Sequence, residues 1–167
     1  MLLLFYPDPQ TGEELLLFTR RTETLPSHKG QISFPGGSID PTDADAVEAA
    51  LREAAEEVGV TPTEVTVWGV LPEVYTVVSN YIITPVLGHT PTRPDFRPNP
   101  AEVAELIEVP VAALRDPTIH RTETHPTPRG PVVVHYYQHG LYNIWGATAR
   151  ILATFLDGAP PGERILG

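Results

Sequence analysis

The sequence predicts an α+β fold in which helices pack on a mixed β-sheet. Three observations point to it. Extended apolar segments outnumber helical ones, the two segments with helical spacing (46–58 and 144–156) are separated by the main block of strands, and no repeat or linker divides the chain. Its 167 residues suit a single domain, 1–167, able to bury roughly 70% of its unfolded surface.

The elements follow in order. Residues 2–6 and 14–19 are apolar, and the Pro-Asp-Pro-Gln-Thr-Gly stretch between them reads as the turn of a hairpin. Residues 22–34 read as irregular and lead into Pro35-Gly36-Gly37, where two glycines permit positive φ and close approach by another group. For the 46–58 helix, Asp45 with Glu48 three residues on makes a capping-box pattern, and Gly59 supplies the stop. Val65–Val70 reads as a strand, and 74–78 with 81–87 as a hairpin split at Ser79-Asn80. His89–Pro100 is a Pro-rich loop, 101–106 is ambiguous, and 111–115 is a short helical turn before Asp116-Pro117. A second Pro-rich turn, 125–131, precedes a strand at 132–137, and Asn143 is placed to cap the 144–156 helix. Met1 stands directly on the first strand, which leaves open an extension before this numbering.

Composition removes several function classes. The 11 Lys and Arg against 21 Asp and Glu give a net charge of −10, which repels a nucleic-acid polyanion. With no cysteine there is no disulfide, thiolate metal site or cysteine nucleophile. The apolar run at Met1–Tyr6 is far shorter than the ~20 residues of a membrane helix, and it lacks the basic start of a signal peptide. A cytoplasmic protein without membrane or nucleic-acid partners is the expectation, and a homodimer is left open.

The acids are concentrated. Asp40, Asp43, Asp45, Glu48, Glu53, Glu56 and Glu57 share 18 residues with one base, Arg52. At about 100° per residue, Val47, Ala50, Leu51, Ala54 and Val58 form an apolar stripe, and Glu53, Glu56 and Glu57 occupy the sector bordering it. Like charges at i, i+3 and i, i+4 destabilise a bare helix by roughly 0.2–0.5 kcal/mol per pair. Arg52 is i, i+4 to both Glu48 and Glu56 and is placed to restrain Glu56, but it leaves Glu53 and Glu57 uncompensated. Such a face is either solvated or built for a cation, and hard oxygen donors suit Mg²⁺ or Mn²⁺.

Arg52-Glu53-Ala54-Ala55-Glu56-Glu57-Val58-Gly59-Val60 resembles the R-E-U-x-E-E-x-G-U end of the Nudix box, U being aliphatic. Gly37 fits the opening glycine of G-x5-E-x7-R-E-U-x-E-E-x-G-U. The interval from Gly37 to Arg52 is one residue longer than that pattern, and Asp43 stands nearest the place of its first glutamate. The resemblance implies an α/β/α sandwich with a loop–helix–loop box at about 37–60. It also implies hydrolysis of a diphosphate linked to another group, with Mg²⁺ or Mn²⁺ held by Glu53, Glu56, Glu57 and a carbonyl at Gly37, and with Arg52 in the catalytic set.

The stretch from Leu17 to Gly37 resembles the coenzyme A pyrophosphatase subgroup, L-L-T-x-R-[SA]-x3-R-x3-G-x3-F-P-G-G, without gaps. Phe18, Thr22 and Pro26 depart from it, and Pro26 stands where a second arginine is expected. The implied reaction converts CoA and water to 3′,5′-ADP and 4′-phosphopantetheine. Arg20, Arg21, His28, Lys29, Gly36 and Gly37 are then the substrate-binding candidates. An acid outside the box completes such sites. Glu102 and Glu105 are the candidates, with Glu105 preferred. His135 and His139 straddle a strand end and receive no metal role, and Trp145 is read as packing. A pyrophosphatase of ADP-ribose, NADH or another nucleoside diphosphate derivative is the competing enzyme reading. A catalytically idle nucleotide-binding domain is the reading from a different class.

Overall fold

The computed structural model describes residues 1–23, 30–76, 80–127 and 130–158. Its first strands are β1 (Leu2–Pro7) and β2 (Glu14–Arg21), an antiparallel hairpin as expected, with Phe5 opposite Leu16. Leu2 to Tyr6 are each no more than 1% exposed. An unbroken apolar run of this kind belongs to a strand covered on both faces, and each such side chain contributes roughly 1.5–3 kcal/mol on burial.

Strand β2 is the hub. Along one edge it pairs with β8 (Val103–Pro110). Along the other its first half pairs with β1 and its last residues with β3 (Ile32–Ser33). Beyond β1 lie β7 (Val86–His89), which is parallel to it, and β4 (Thr66–Val70), which is antiparallel to β7. The sheet is therefore mixed. Two smaller sheets accompany it: a ribbon of β5 (Val74–Thr76) and β6 (Tyr81–Ile83), and a three-stranded antiparallel sheet of β9 (His120–His125), β10 (Val132–His139) and β11 (Tyr142–Trp145).

Side-chain alternation divides the core in two. Leu2, Leu4, Tyr6, Leu15 and Leu17 pack with Ala50, Ala54 and Val58 of helix α1 (Ala46–Val58). Leu3, Phe5, Leu16 and Phe18 pack with Ile151, Leu152 and Phe155 of helix α3 (Gly146–Gly158). A sheet between two helices is the α/β/α sandwich, and the apolar stripe expected on α1 is the face it buries. A short helix, α2 (Val111–Leu114), follows β8 directly, as anticipated for 111–115. No helix among the described residues is long and apolar enough to cross a membrane.

Several expectations are corrected. The irregular 22–34 stretch contains β3, and the ambiguous 101–106 segment opens β8. Residues 81–87 divide into β6 and β7, and β9 takes in 120–124, to which no element is assigned from the sequence, together with His125, expected in the Pro-rich turn. Asn143 and Ile144 lie in β11, so Asn143 does not cap α3, which begins at Gly146.

Helix α1 starts where expected. The Asp45 carboxylate accepts from the amides of Val47 and Glu48, both at 2.9 Å, and Gly59 closes the helix in the left-handed region at φ 75°. The reciprocal half of the cap differs from a capping box, because Glu48 accepts from the amide of Ala44 (2.6 Å). Asp45→Ala leaves two helical N–H groups without this acceptor. It should cost about 1 kcal/mol, read as a lowered urea midpoint with an unchanged slope.

Candidate active site

Helix α1 carries Glu53 and Glu57 one turn apart, and the loop after β3 brings Pro35-Gly36-Gly37 across them. Glu57 is only 4% exposed, and its Oε2 accepts from the Gly36 amide at 3.0 Å. Gly36 has φ 149°, a conformation that favours glycine. At Gly37 the constraint is contact: a Cβ there would fall on the Glu53 carboxylate. The two glycines let backbone lie directly against two acids.

Burial pushes the Glu57 carboxyl up to about 7. The Gly36 hydrogen bond opposes the rise, the charges of Glu102 and Glu53 add to it, and Arg21 lowers it. Among the acids outside α1, Glu102 thus bears on Glu57. The Glu102 Oε1 accepts from Asn99 Nδ2 at 3.1 Å.

Arg52 organises the rest. Its Nε and Nη2 reach the two oxygens of Asp43 at 2.9 and 3.0 Å, Nη1 reaches Glu53 (2.9 Å) and Glu56 (3.2 Å), and Nη2 also donates to the Ser38 carbonyl. The bidentate pair holds the Asp43 carboxyl below its ordinary range. Asp43, the substitute first acid, is therefore the anchor of Arg52. The sequence expectation for Arg52 is corrected at one point: Glu53 is compensated by its neighbour. Glu56 has more than half its side chain exposed.

Arg21 lies on the same face as Glu57, and its buried Nε has no hydrogen-bond partner among the described residues. An orphaned guanidinium nitrogen is costly unless something fills the place. Arg20, the preceding residue, points to the other face. It pairs with Glu105 at 3.0 Å, and Glu105 also accepts from the Tyr142 hydroxyl at 2.6 Å. The structure thus sets Glu102 with the box acids and Glu105 with Arg20. His28 and Lys29 lie outside the described residues. His135, given no metal role from the sequence, has Nδ1 3.0 Å from His120 Nε2. Trp145 is not packing, being 46% exposed. The helical spacing over 144–156 hides this, because the helix begins two residues later, at Gly146.

The donor chemistry suits a hard divalent cation. Glu57 and Glu53 each have one oxygen engaged by a donor, Gly36 and Arg52 respectively, and no other donor among the described residues reaches them. No group of three His, Asp or Glu closes into a ready cage among the described residues. Mg²⁺ is commonly held by one or two carboxylates, with waters and substrate phosphates completing its shell, so two acids suffice.

Comparison with known proteins agrees with this geometry. The family model of the NUDIX domain matches residues 4–131. A Cronobacter sakazakii protein named "Uncharacterized Nudix hydrolase NudL" is 45% identical over 148 residues, covering 86% of this chain and 73% of the relative. Its namesake from Escherichia coli K12 is 42% identical over 150 residues with the same coverage. Among solved structures, a Nudix hydrolase from M. smegmatis, RenU, superposes with a TM-score of 0.57 at 27% identity, over 69% of this chain and 71% of that one. A C. elegans Ap4A hydrolase binary complex shares the fold, with a TM-score of 0.55 at 18% identity over 66% and 78% of the two chains.

The raised Glu57 carboxyl has a consequence for the metal-free protein. The fold favours its protonated form, so this contribution to stability is fully present below about pH 4.5 and is lost as pH rises through about 7. Glu57→Gln stays neutral throughout. In EDTA at pH 8 the variant should be more stable than the wild type by up to about 3 kcal/mol, and near pH 4 the difference should vanish. Urea unfolding at the two pH values checks this.

Proposed function

The chain belongs to the Nudix hydrolase family, and from that premise we propose that it hydrolyses the diphosphate of coenzyme A, giving 3′,5′-ADP and 4′-phosphopantetheine. The observation that carries the reading is the convergence on one face of the sheet of two box acids, the Gly36-Gly37 turn and the orphaned Nε of Arg21. The ungapped Leu17–Gly37 resemblance supports CoA over other nucleoside diphosphate derivatives. A cytoplasmic location and a small-molecule substrate belong to the same reading.

Glu53 and Glu57 would hold Mg²⁺ or Mn²⁺, with Glu56 alongside and the Gly37 carbonyl as a further oxygen. Bound there, the ion supplies charge neutralisation for the diphosphate and acidification of a water. Arg52 fixes Glu53 from one side, and its own position is fixed by Asp43. Arg21 supplies a planar donor for a diphosphate oxygen, a geometry to which guanidinium is better suited than ammonium. In the reaction a water oxygen attacks one phosphorus and the P–O bond to the bridging oxygen breaks. Glu102 takes the water's proton, and the departing phosphate carries the bridging oxygen away. Glu102 fits this role better than Glu105, because Glu105 is held by Arg20 and Tyr142 on the other face of the sheet.

The test compares CoA and ADP-ribose side by side with Mg²⁺ and Mn²⁺, following product formation. CoA should be cleaved with the higher kcat/KM, and a higher value for ADP-ribose would overturn the CoA assignment. Because Arg21 lies with the box acids, Arg21→Ala should lower kcat/KM at least tenfold for CoA and for dephospho-CoA alike. A loss confined to CoA would place Arg21 at the 3′-phosphate instead.

A further inference from the structure

We propose that the cleft on the opposite face of the sheet, between the end of β2 and strand β11, selects the purine of the substrate. The base stacks on Trp145, and its exocyclic amine donates to the Glu105 carboxylate, which Arg20 and Tyr142 hold in place. The inference rests on the pyrophosphatase reading and names the substrate group that the enzyme would recognise away from the diphosphate.

The cleft has a volume of about 630 Å³, inside the range of about 300–1,000 Å³ typical of small-molecule sites. Arg20, Glu105, Tyr142, Asn143 and Trp145 line it. Trp145 is 46% exposed, and no ring or cation packs on its indole among the described residues. The phenylalanines on this face of the sheet, Phe5, Phe18, Phe34 and Phe155, are all buried. An indole left open on a cleft wall is a stacking platform for a flat heterocycle.

Glu105 adds selectivity. Its Oε1 accepts from Tyr142 at 2.6 Å and its Oε2 faces Arg20 at 3.0 Å, so the carboxylate is held at both oxygens. Each oxygen has a second lone pair, and an ionised carboxylate can only accept. It therefore favours a purine bearing an amino group over one bearing a carbonyl at the same position. Arg20 offsets the negative charge of Glu105, so a nucleotide approaches a nearly neutral pair rather than a bare anion.

The end of β2 links the cleft to the face that carries the box acids. Arg20 and Arg21 are consecutive at the end of β2 and opposite Glu105 and Val103 of β8, with a register shift between them. The Gln31 carbonyl accepts from the Arg21 amide at 3.0 Å, and Gln31 itself lines the cleft. A substrate with its base in the cleft reaches the acids round this edge.

Calorimetric titration of the metal-free protein tests the proposal without turnover. The probes are 3′,5′-ADP, its inosine counterpart and 4′-phosphopantetheine. The wild type should bind the adenosine compound at least fivefold tighter than the inosine one. Trp145→Ala should weaken both at least fivefold and leave 4′-phosphopantetheine within twofold. Glu105→Gln, whose amide can turn either edge to the base, should reduce the preference for adenosine to less than twofold, with folding checked by the thermal midpoint. No purine binding, equal affinity for the two nucleotides, or an unchanged Trp145→Ala would each overturn the proposal. If the binding pattern holds and CoA is not cleaved, the CoA assignment fails while the purine cleft stands.

Discussion

A carboxylate taken out of water is the constraint around which this site is arranged. Glu57 projects from the last turn of α1 into a place where desolvation alone disfavours its charge. One N–H, from Gly36, offsets part of that penalty, and it can do so only because Gly36-Gly37 brings backbone where a side chain would collide. The position of α1 is in turn set by Ala50, Ala54 and Val58 against the leucines of β1 and β2. Small residues at the contact let the helix come close to the sheet. The acid at its border is buried as a consequence of that packing.

Arg52 explains how one helix tolerates so many acids. The guanidinium gathers Asp43, Glu53 and Glu56 and ties the loop at Ser38 to the helix. Bidentate geometry to Asp43 fixes its direction, so one residue both disperses repulsion and orients Glu53. The extra residue between Gly37 and Arg52 is accommodated here: Asp43 reaches Arg52 from a turn that its own carboxylate closes on the amide of Asp40.

The parts legible in the sequence are those whose causes are local. The α1 boundaries follow from Asp45, Gly59 and apolar periodicity, and the first hairpin from two apolar runs about a turn. Strands β3, β8 and β9 were obscure because a strand is defined by its partner. His120–His125 is polar throughout and shows no apolar alternation, yet it pairs along its whole length with β10. Ile144, Thr148, Ile151, Leu152 and Phe155 fit a helical period that takes in Trp145, whereas the chain is extended until Trp145 and turns at Gly146. The acids of the box were legible because helical spacing alone puts them in one sector. The separation of Glu102 from Glu105 is not, since it depends on the register of β8 against β2.

That register also sorts the charges by face. Alternation along β2 sends Leu17 and Arg21 toward α1, and Phe18 and Arg20 toward α3. On β8, Glu105 lies opposite Arg20, while Val103 lies opposite Arg21 because of the bulge. The extra residue in β8 increases the local twist and re-aims the strand end. The Glu102 carbonyl accepts from the Thr22 amide at 3.0 Å, which keeps the backbone in step while the acid turns to the box face. Two neighbouring arginines and two nearby glutamates thereby become separate pairs on opposite faces of one sheet. On the α1 face the charges are incompletely matched among the described residues, with an unpartnered Arg21 Nε and a desolvated Glu57 carboxylate, as suits a place for phosphate and cation. On the α3 face they are matched and surrounded by Tyr142 and Trp145, as suits a neutral, flat group. A single bulge thus distributes charge between the two faces of the sheet.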